Sequence, residues 1–171
     1  AGPGRAGSGS PPPRAFRVAQ AVTDRPVKRT LPGPMTIIDS TVDSHYHDDI
    51  ALGAELAAAI NQHVLALAEA GCRHIQIDEP VLARKPKVGL AHGIAQLDRC
   101  FDSLPDNVTR VAHACCGYPN HLDQDGYDKA DRHAYLELAG ALDATSIQVL
   151  SLEDAHANND LAELLSQFTS T

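Results

Sequence analysis

His113-Ala114-Cys115 is the segment whose residue types and spacing point most directly to chemistry. Side chains alternate between faces along a β-strand, so His113 and Cys115 share one face. A neutral imidazole beside a thiolate suits Zn²⁺. Taken alone, an H-x-C pair is also an ordinary half-buried strand pattern. Glu153 closes the run Ser146–Leu152 and supplies an oxygen donor at the end of the next predicted strand. Three such ligands leave one coordination position open or filled from elsewhere, as a catalytic zinc requires. Cys116 points to the opposite face and reads as packing.

Acidic groups collect at the same strand ends. Asp78-Glu79-Pro80 follows the apolar run that begins at His74. Carboxylates in that position either stabilise the N-terminus of a following helix or grip a cationic amine and take part in proton transfer. Spacing leaves both readings open for Asp78 and Glu79. Asp39 ends the run MTIIDS and is followed by Asp43, His45, Tyr46 and His47, which makes Asp39 a further candidate substrate contact. His156, just past Glu153, is a candidate catalytic residue that orients the glutamate or stands at the site mouth. Tyr118 and Asn120 lie in the loop after the H-x-C pair, within reach of a substrate.

These residues must be positioned by alternating elements. VKRTL (27–31) and MTIIDS (35–40) are short β-prone runs separated by Pro32-Gly33-Pro34. Leu52, Leu56, Ile60, Val64 and Leu67 recur at helical spacing and predict a helix over 49–70, with Gly71 as its terminating glycine. HIQID (74–78) predicts a strand, 90–103 a helix with Ile94, Leu97 and Phe101 on one face, and TRVAHAC (109–115) another strand. A helix over 132–142, a strand over 146–152 and a last helix follow. Asn158 or Asn159 caps that last helix, and its Leu161, Leu164, Leu165 and Phe168 face inward.

Strand and helix alternating at this spacing mean βαβ units and a parallel sheet, an α/β fold with its chemistry at the C-terminal strand ends. A closed (β/α)8 TIM barrel needs about 250 residues. A chain of 171 residues with four βα units therefore reads as a partial barrel with unpaired sheet edges open to self-association.

Bulk properties narrow the classes. The net charge of −8, with acids scattered along the chain, argues against a nucleic-acid surface. No run of about 18 or more apolar residues predicts a membrane span, and a cytoplasmic location is expected. Cys72 and Cys100 fit no disulfide framework with the other two cysteines and read as reduced thiols. Residues 1–16, opening AGPGRAGSGSPPPR, have little to bury and are expected to be disordered, leaving 17–171 as the folded domain.

Four segments together carry a resemblance: TLPGPMTIIDS, AAAINQHVLALAEAGCRHIQIDEPVLA, VAHACCGYPN and IQVLSLEDAHANNDL. They resemble the catalytic barrel of cobalamin-independent methionine synthases, most closely the short single-barrel relatives. The resemblance implies a zinc-dependent S-methyltransferase that makes methionine from homocysteine and a methyltetrahydrofolate-type donor. By motif it implies His113, Cys115 and Glu153 as zinc ligands and Asp78 as the carboxylate that holds the amino group of homocysteine.

The family's last zinc ligand is a cysteine, and none follows Cys116 here. Ser40 stands where the long enzymes carry a folate-facing tryptophan, and Arg84 where they carry a folate-contacting glutamate. These departures keep two rivals in view. One is a zinc thiol-alkyltransferase using methylcobalamin or an epoxide; the other is an inactive fragment.

Overall fold

Asp48 starts the longest helix of the chain by accepting the backbone N–H groups of Ile50 and Ala51 on its carboxylate, at 2.9 and 3.2 Å. The computed structural model describes residues 11–115, 130–131, 133–154 and 159–169. Within them, α1 (Pro11–Gln20) leads to β1 (Lys28–Pro32), α2 (Pro34–Asp39) and α3 (Asp49–Glu69). β2 (His74–Asp78) then precedes a broken helical stretch made of α4 (Val81–Arg84), α5 (Pro86–Val88), a π-turn over Gly89–Gly93 and α6 (Ile94–Arg99). β3 (Thr109–Ala114), α7 (Ala134–Asp143), β4 (Val149–Leu152) and α8 (Leu161–Leu165) complete the order.

The four strands form one parallel sheet in the order β1-β2-β3-β4. Each strand pairs with the next along the chain, and helical segments connect them, as a partial (β/α)8 barrel requires. One sheet face carries Leu31, Ile75, Ile77 and Ala112, which pack with Ile60, Val64 and Leu67 of α3 and Ile94 and Leu97 of α6. Burying each such aliphatic side chain stabilises the fold by about 1.5–3 kcal/mol.

α3 is long and apolar enough to cross a membrane by length and composition. Here its apolar stripe instead closes the core over the sheet. Gly71 ends it at φ +98°, while Cys72 N–H donates to Leu67 C=O across the last turn at 3.0 Å. That positive φ suits glycine. Gly71→Ala is expected to cost about 1–2 kcal/mol, read as a lower denaturant midpoint, although a methyl group there meets open space.

Four sequence expectations are corrected. The β-branched run Thr36-Ile37-Ile38 suggests a strand over 35–40, yet the segment is helix α2. Pro34 presets the first helical turn, and the carboxylate of Glu79 accepts the N–H groups of Met35 and Thr36. A partner 44 residues away thus overrides local propensity.

The helical stretch after β2 begins at Val81, ahead of the expected 90–103, although Ile94, Leu97 and Phe101 are buried as their spacing implies. Helix α1 begins at Pro11, inside the stretch whose composition suggests disorder, because Phe16 on it inserts into the core. The fourth correction is at the far end. α8 is capped by Asp160, with Leu164 buried but Leu161 and Leu165 57% and 68% exposed. Leu165 lines an open groove of about 280 Å³ with Leu142, Ile147, Leu150 and Phe168.

Candidate active site

The sheet register decides which polar residues can act together. Asp78 of β2 pairs with His113 of β3, and His113 pairs with Ser151 of β4. Beyond the last formal pair, Glu153 N–H donates to Ala114 C=O at 3.2 Å, which carries the alignment past both strand ends. Because faces alternate with period two, Gln76, Asp78, His113, Cys115, Ser151 and Glu153 share the face opposite the helical core.

His113 is oriented from β4. Its Nδ1 lies 2.9 Å from Ser151 C=O and 3.1 Å from Ser151 Oγ. A carbonyl only accepts, so Nδ1 carries the proton and Nε2 is left with the free lone pair. This is the tautomer and the outer hydrogen bond that metal-binding histidines characteristically show. Cys115 is a free thiol, 3% exposed, one residue past β3. Glu153 is half-buried at the end of β4.

The hydroxyl of Tyr135 on α7 ties the two strand ends together, 3.3 Å from Ala114 C=O and 3.0 Å from Glu153 C=O. Among the described residues, no three His, Cys, Asp or Glu side chains converge closely enough to enclose a metal ion. The donor set nevertheless fits zinc: nitrogen, sulfur and oxygen donors on one face at adjacent strand ends.

Asp78 is half-buried and accepts a hydrogen bond from Gln76 Nε2 at 2.6 Å. Glu79, a candidate substrate contact by sequence, is instead fully buried on the other side. Its Oε1 accepts from Met35 N–H at 2.8 Å, and its Oε2 accepts from Thr36 N–H at 2.9 Å and Thr36 Oγ1 at 2.7 Å. Burial pushes its carboxyl up to about 7, against the hydrogen bonds from Thr36 and Met35 that pull it down.

Asp39, expected at a strand end, lies at the last residue of α2. There it meets Lys85 at 2.6 Å and Arg84 at 2.7 Å. The hydrogen bond from Lys85 holds its carboxyl below the usual range. The ion pair is solvent-facing, so Asp39→Ala is expected to change unfolding free energy by less than about 1 kcal/mol in urea titrations. His156, Cys116, Tyr118 and Asn120 lie outside the described residues.

Spacing alone passed over Gln76, Ser151, Tyr135 and Lys28. The signal for the first two was present: His74, Gln76 and Asp78 alternate along β2 on the face that carries His113 and Ser151.

Residues 13–114 match the family described as cobalamin-independent synthase, catalytic domain, which is more than half of the chain. The chain belongs to this family. Methionine synthase from Saccharolobus islandicus is 29% identical over 175 aligned positions, covering 90% of this chain and 51% of that protein. A 5-methyltetrahydropteroyltriglutamate–homocysteine methyltransferase from a Thermotoga species is 41% identical over 73 residues, 41% of this chain and 10% of that protein.

Among solved structures, a B12-independent methionine synthase from Shewanella sp. W3-18-1, in complex with selenomethionine, superimposes with a TM-score of 0.78 at 29% identity. That match covers 91% of this chain and 45% of the Shewanella chain. The chain thus spans about half the length of the archaeal and Shewanella relatives it matches. The family's parallel sheet agrees with the partial barrel found here.

Proposed function

We propose that the protein containing this chain is a zinc-dependent S-methyltransferase that converts homocysteine to methionine, using a methyltetrahydrofolate-type donor. The observation that carries this reading is the common face of Asp78, His113, Cys115 and Glu153 at three adjacent strand ends. His113 Nε2, Cys115 Sγ and a Glu153 oxygen would hold the metal, with a further ligand from outside the described residues. Bound zinc would lower the pKa of a coordinated substrate thiol, so that a thiolate is available near neutral pH.

The chain's own residues do the rest. Ser151 keeps the His113 ring turned with its lone pair outward. Asp78 offers a carboxylate on the same face to the ammonium group of the amino acid. Tyr135 pins the ends of β3 and β4, which keeps the Cys115 and Glu153 backbones aligned. In the overall reaction a new S–CH₃ bond replaces the donor's N–CH₃ bond, and the proton given up by the thiol is matched by one taken up at the donor nitrogen that loses the methyl group.

A second reading is thiol alkylation with another electrophile. It is favoured by Ser40, whose hydroxyl turns back to Thr36 C=O at 2.8 Å, and by Arg84, which is engaged with Asp39. Neither side chain offers the contacts that the resemblance assigns to folate. Assaying the full-length protein with homocysteine and, in turn, methyltetrahydrofolate, methylcobalamin and an epoxide separates the two. Turnover with methyltetrahydrofolate supports the first reading; turnover only with another donor replaces it with the second.

A further inference from the structure

We infer that Gln76, bridged to Lys28, is a positioning residue that holds the Asp78 carboxylate for an amino-acid substrate. The inference rests on the reading of Asp78 as the group that takes the substrate's ammonium. Gln76 is only 7% exposed, although it lies on the sheet face away from the helical core. Its amide is engaged at both ends: Lys28 Nζ donates to Oε1 at 2.5 Å, and Nε2 donates to Asp78 Oδ1 at 2.6 Å.

An ammonium group can only donate, so Lys28 dictates which end of the amide is oxygen. The NH₂ end must then face Asp78. The chain Lys28–Gln76–Asp78 therefore has one direction, set by chemistry rather than by choice of amide orientation.

This arrangement has two consequences for Asp78. Its carboxylate is held in one orientation by Oδ1, while Oδ2 carries no hydrogen bond among the described residues. No cationic side chain pairs with it among the described residues either. The lysine that shares its face is occupied by the neutral amide, which transmits a hydrogen bond without placing a positive charge on the carboxylate. A substrate ammonium thus meets an oriented carboxylate that no internal cation has neutralised. Without Gln76, the carboxylate is free to rotate and Lys28 to compete for it.

The test uses the full-length protein and measures equilibrium binding of methionine and of 4-(methylthio)butanoate, the same molecule without its amino group, by calorimetry. Gln76→Leu is expected to weaken methionine binding about tenfold to a hundredfold, the worth of a hydrogen bond to a charged group. It should leave the analogue's affinity unchanged. Lys28→Met, on an exposed side chain, should shift methionine binding in the same direction and by less.

Unchanged methionine affinity in Gln76→Leu, or an equal loss for both ligands, would overturn the inference. Should Gln76→Leu fail to fold, Lys28→Met decides alone: a selective loss for methionine supports the relay and no loss removes it. Asp78→Asn runs beside them. If that variant keeps the preference for methionine, the reading of Asp78 falls and the relay with it. If it abolishes the preference while Gln76→Leu retains it, only the relay falls.

Discussion

Cys115→Ser in the full-length protein is expected to strip zinc from the purified enzyme and to lower methyl transfer by at least about a hundredfold. Changes to groups that merely support a ligand already cost about 10–100-fold in metal affinity or activity, so removal of a ligand sets that range as a floor. A serine hydroxyl is a poor substitute, since zinc prefers a thiolate and a neutral alcohol does not deprotonate readily at pH 7. Cys115 is 3% exposed and sits beyond the last residue of β3, so serine should fit its space with little effect on folding. Metal analysis of the purified variant checks the first half and single-turnover methyl transfer the second. Wild-type zinc content in Cys115→Ser would remove this cysteine from the ligand set. The buried Cys72 and Cys100 serve as controls, because burial raises both thiols above their ordinary range and disfavours the thiolate.

Glu79→Ala should have the largest effect on stability. The substitution leaves the N–H groups of Met35 and Thr36 without their acceptor, while the hydroxyl of Thr36 keeps only its longer contact to Asp78 C=O at 3.3 Å. Each buried unsatisfied donor costs about 1–3 kcal/mol. With some relief from water entering the cavity, the expected loss is about 3–5 kcal/mol, against a total of about 5–15 for an ordinary domain. The same site explains Gly33: a methyl group there would run into the Glu79 carboxylate. The glycine is required by close approach, not by its backbone angle. Urea unfolding monitored by circular dichroism reads the effect, and a loss below about 1 kcal/mol would show that α2 holds its N-terminus by other means.

Glu79 also gives stability a pH dependence whose sign can be worked out. Its folded-state pKa is raised to about 7 from an ordinary 4.5, so between those values the folded chain binds more protons than the unfolded one. The contribution is fully present below about 4.5 and is lost as pH rises through about 7. The difference is on the order of 3 kcal/mol. In the neutral form, the carboxyl O–H donates to Thr36 Oγ1, whose own hydrogen turns to Asp78 C=O at 3.3 Å. Thermal midpoints should therefore fall between pH 5 and 7, and Glu79→Gln should flatten that slope. Asp39 and Asp43, both lowered from 3.8, titrate below this window. A slope that survives in Glu79→Gln would assign it to other groups.

The features that local sequence determined are those whose cause is local. The α3 helix follows from a carboxylate cap at Asp48, an apolar stripe ending in Ile60, Val64 and Leu67, and a glycine at a positive φ. The common face of His113 and Cys115 follows from strand periodicity, and the parallel sheet from the alternation of elements. His113-Ala114-Cys115 therefore stood out before any tertiary contact was known.

Tertiary structure decided what depends on partners far along the chain. Asp78 and Glu79 are adjacent carboxylates of the same charge, and spacing could not separate their roles. The pleat sends Asp78 to the face of His113 and Glu79 into the N-terminus of α2. That second contact turns a β-prone segment helical and moves Asp39 from a strand end to a surface ion pair. The register likewise brought Ser151 to His113 and Lys28 to Gln76, pairs separated by 38 and 48 residues. Which residues carry the chemistry was written in their types. Which of them meet was set by a register and a buried cap, because hydrogen bonds across strands depend on pairing that no local window contains.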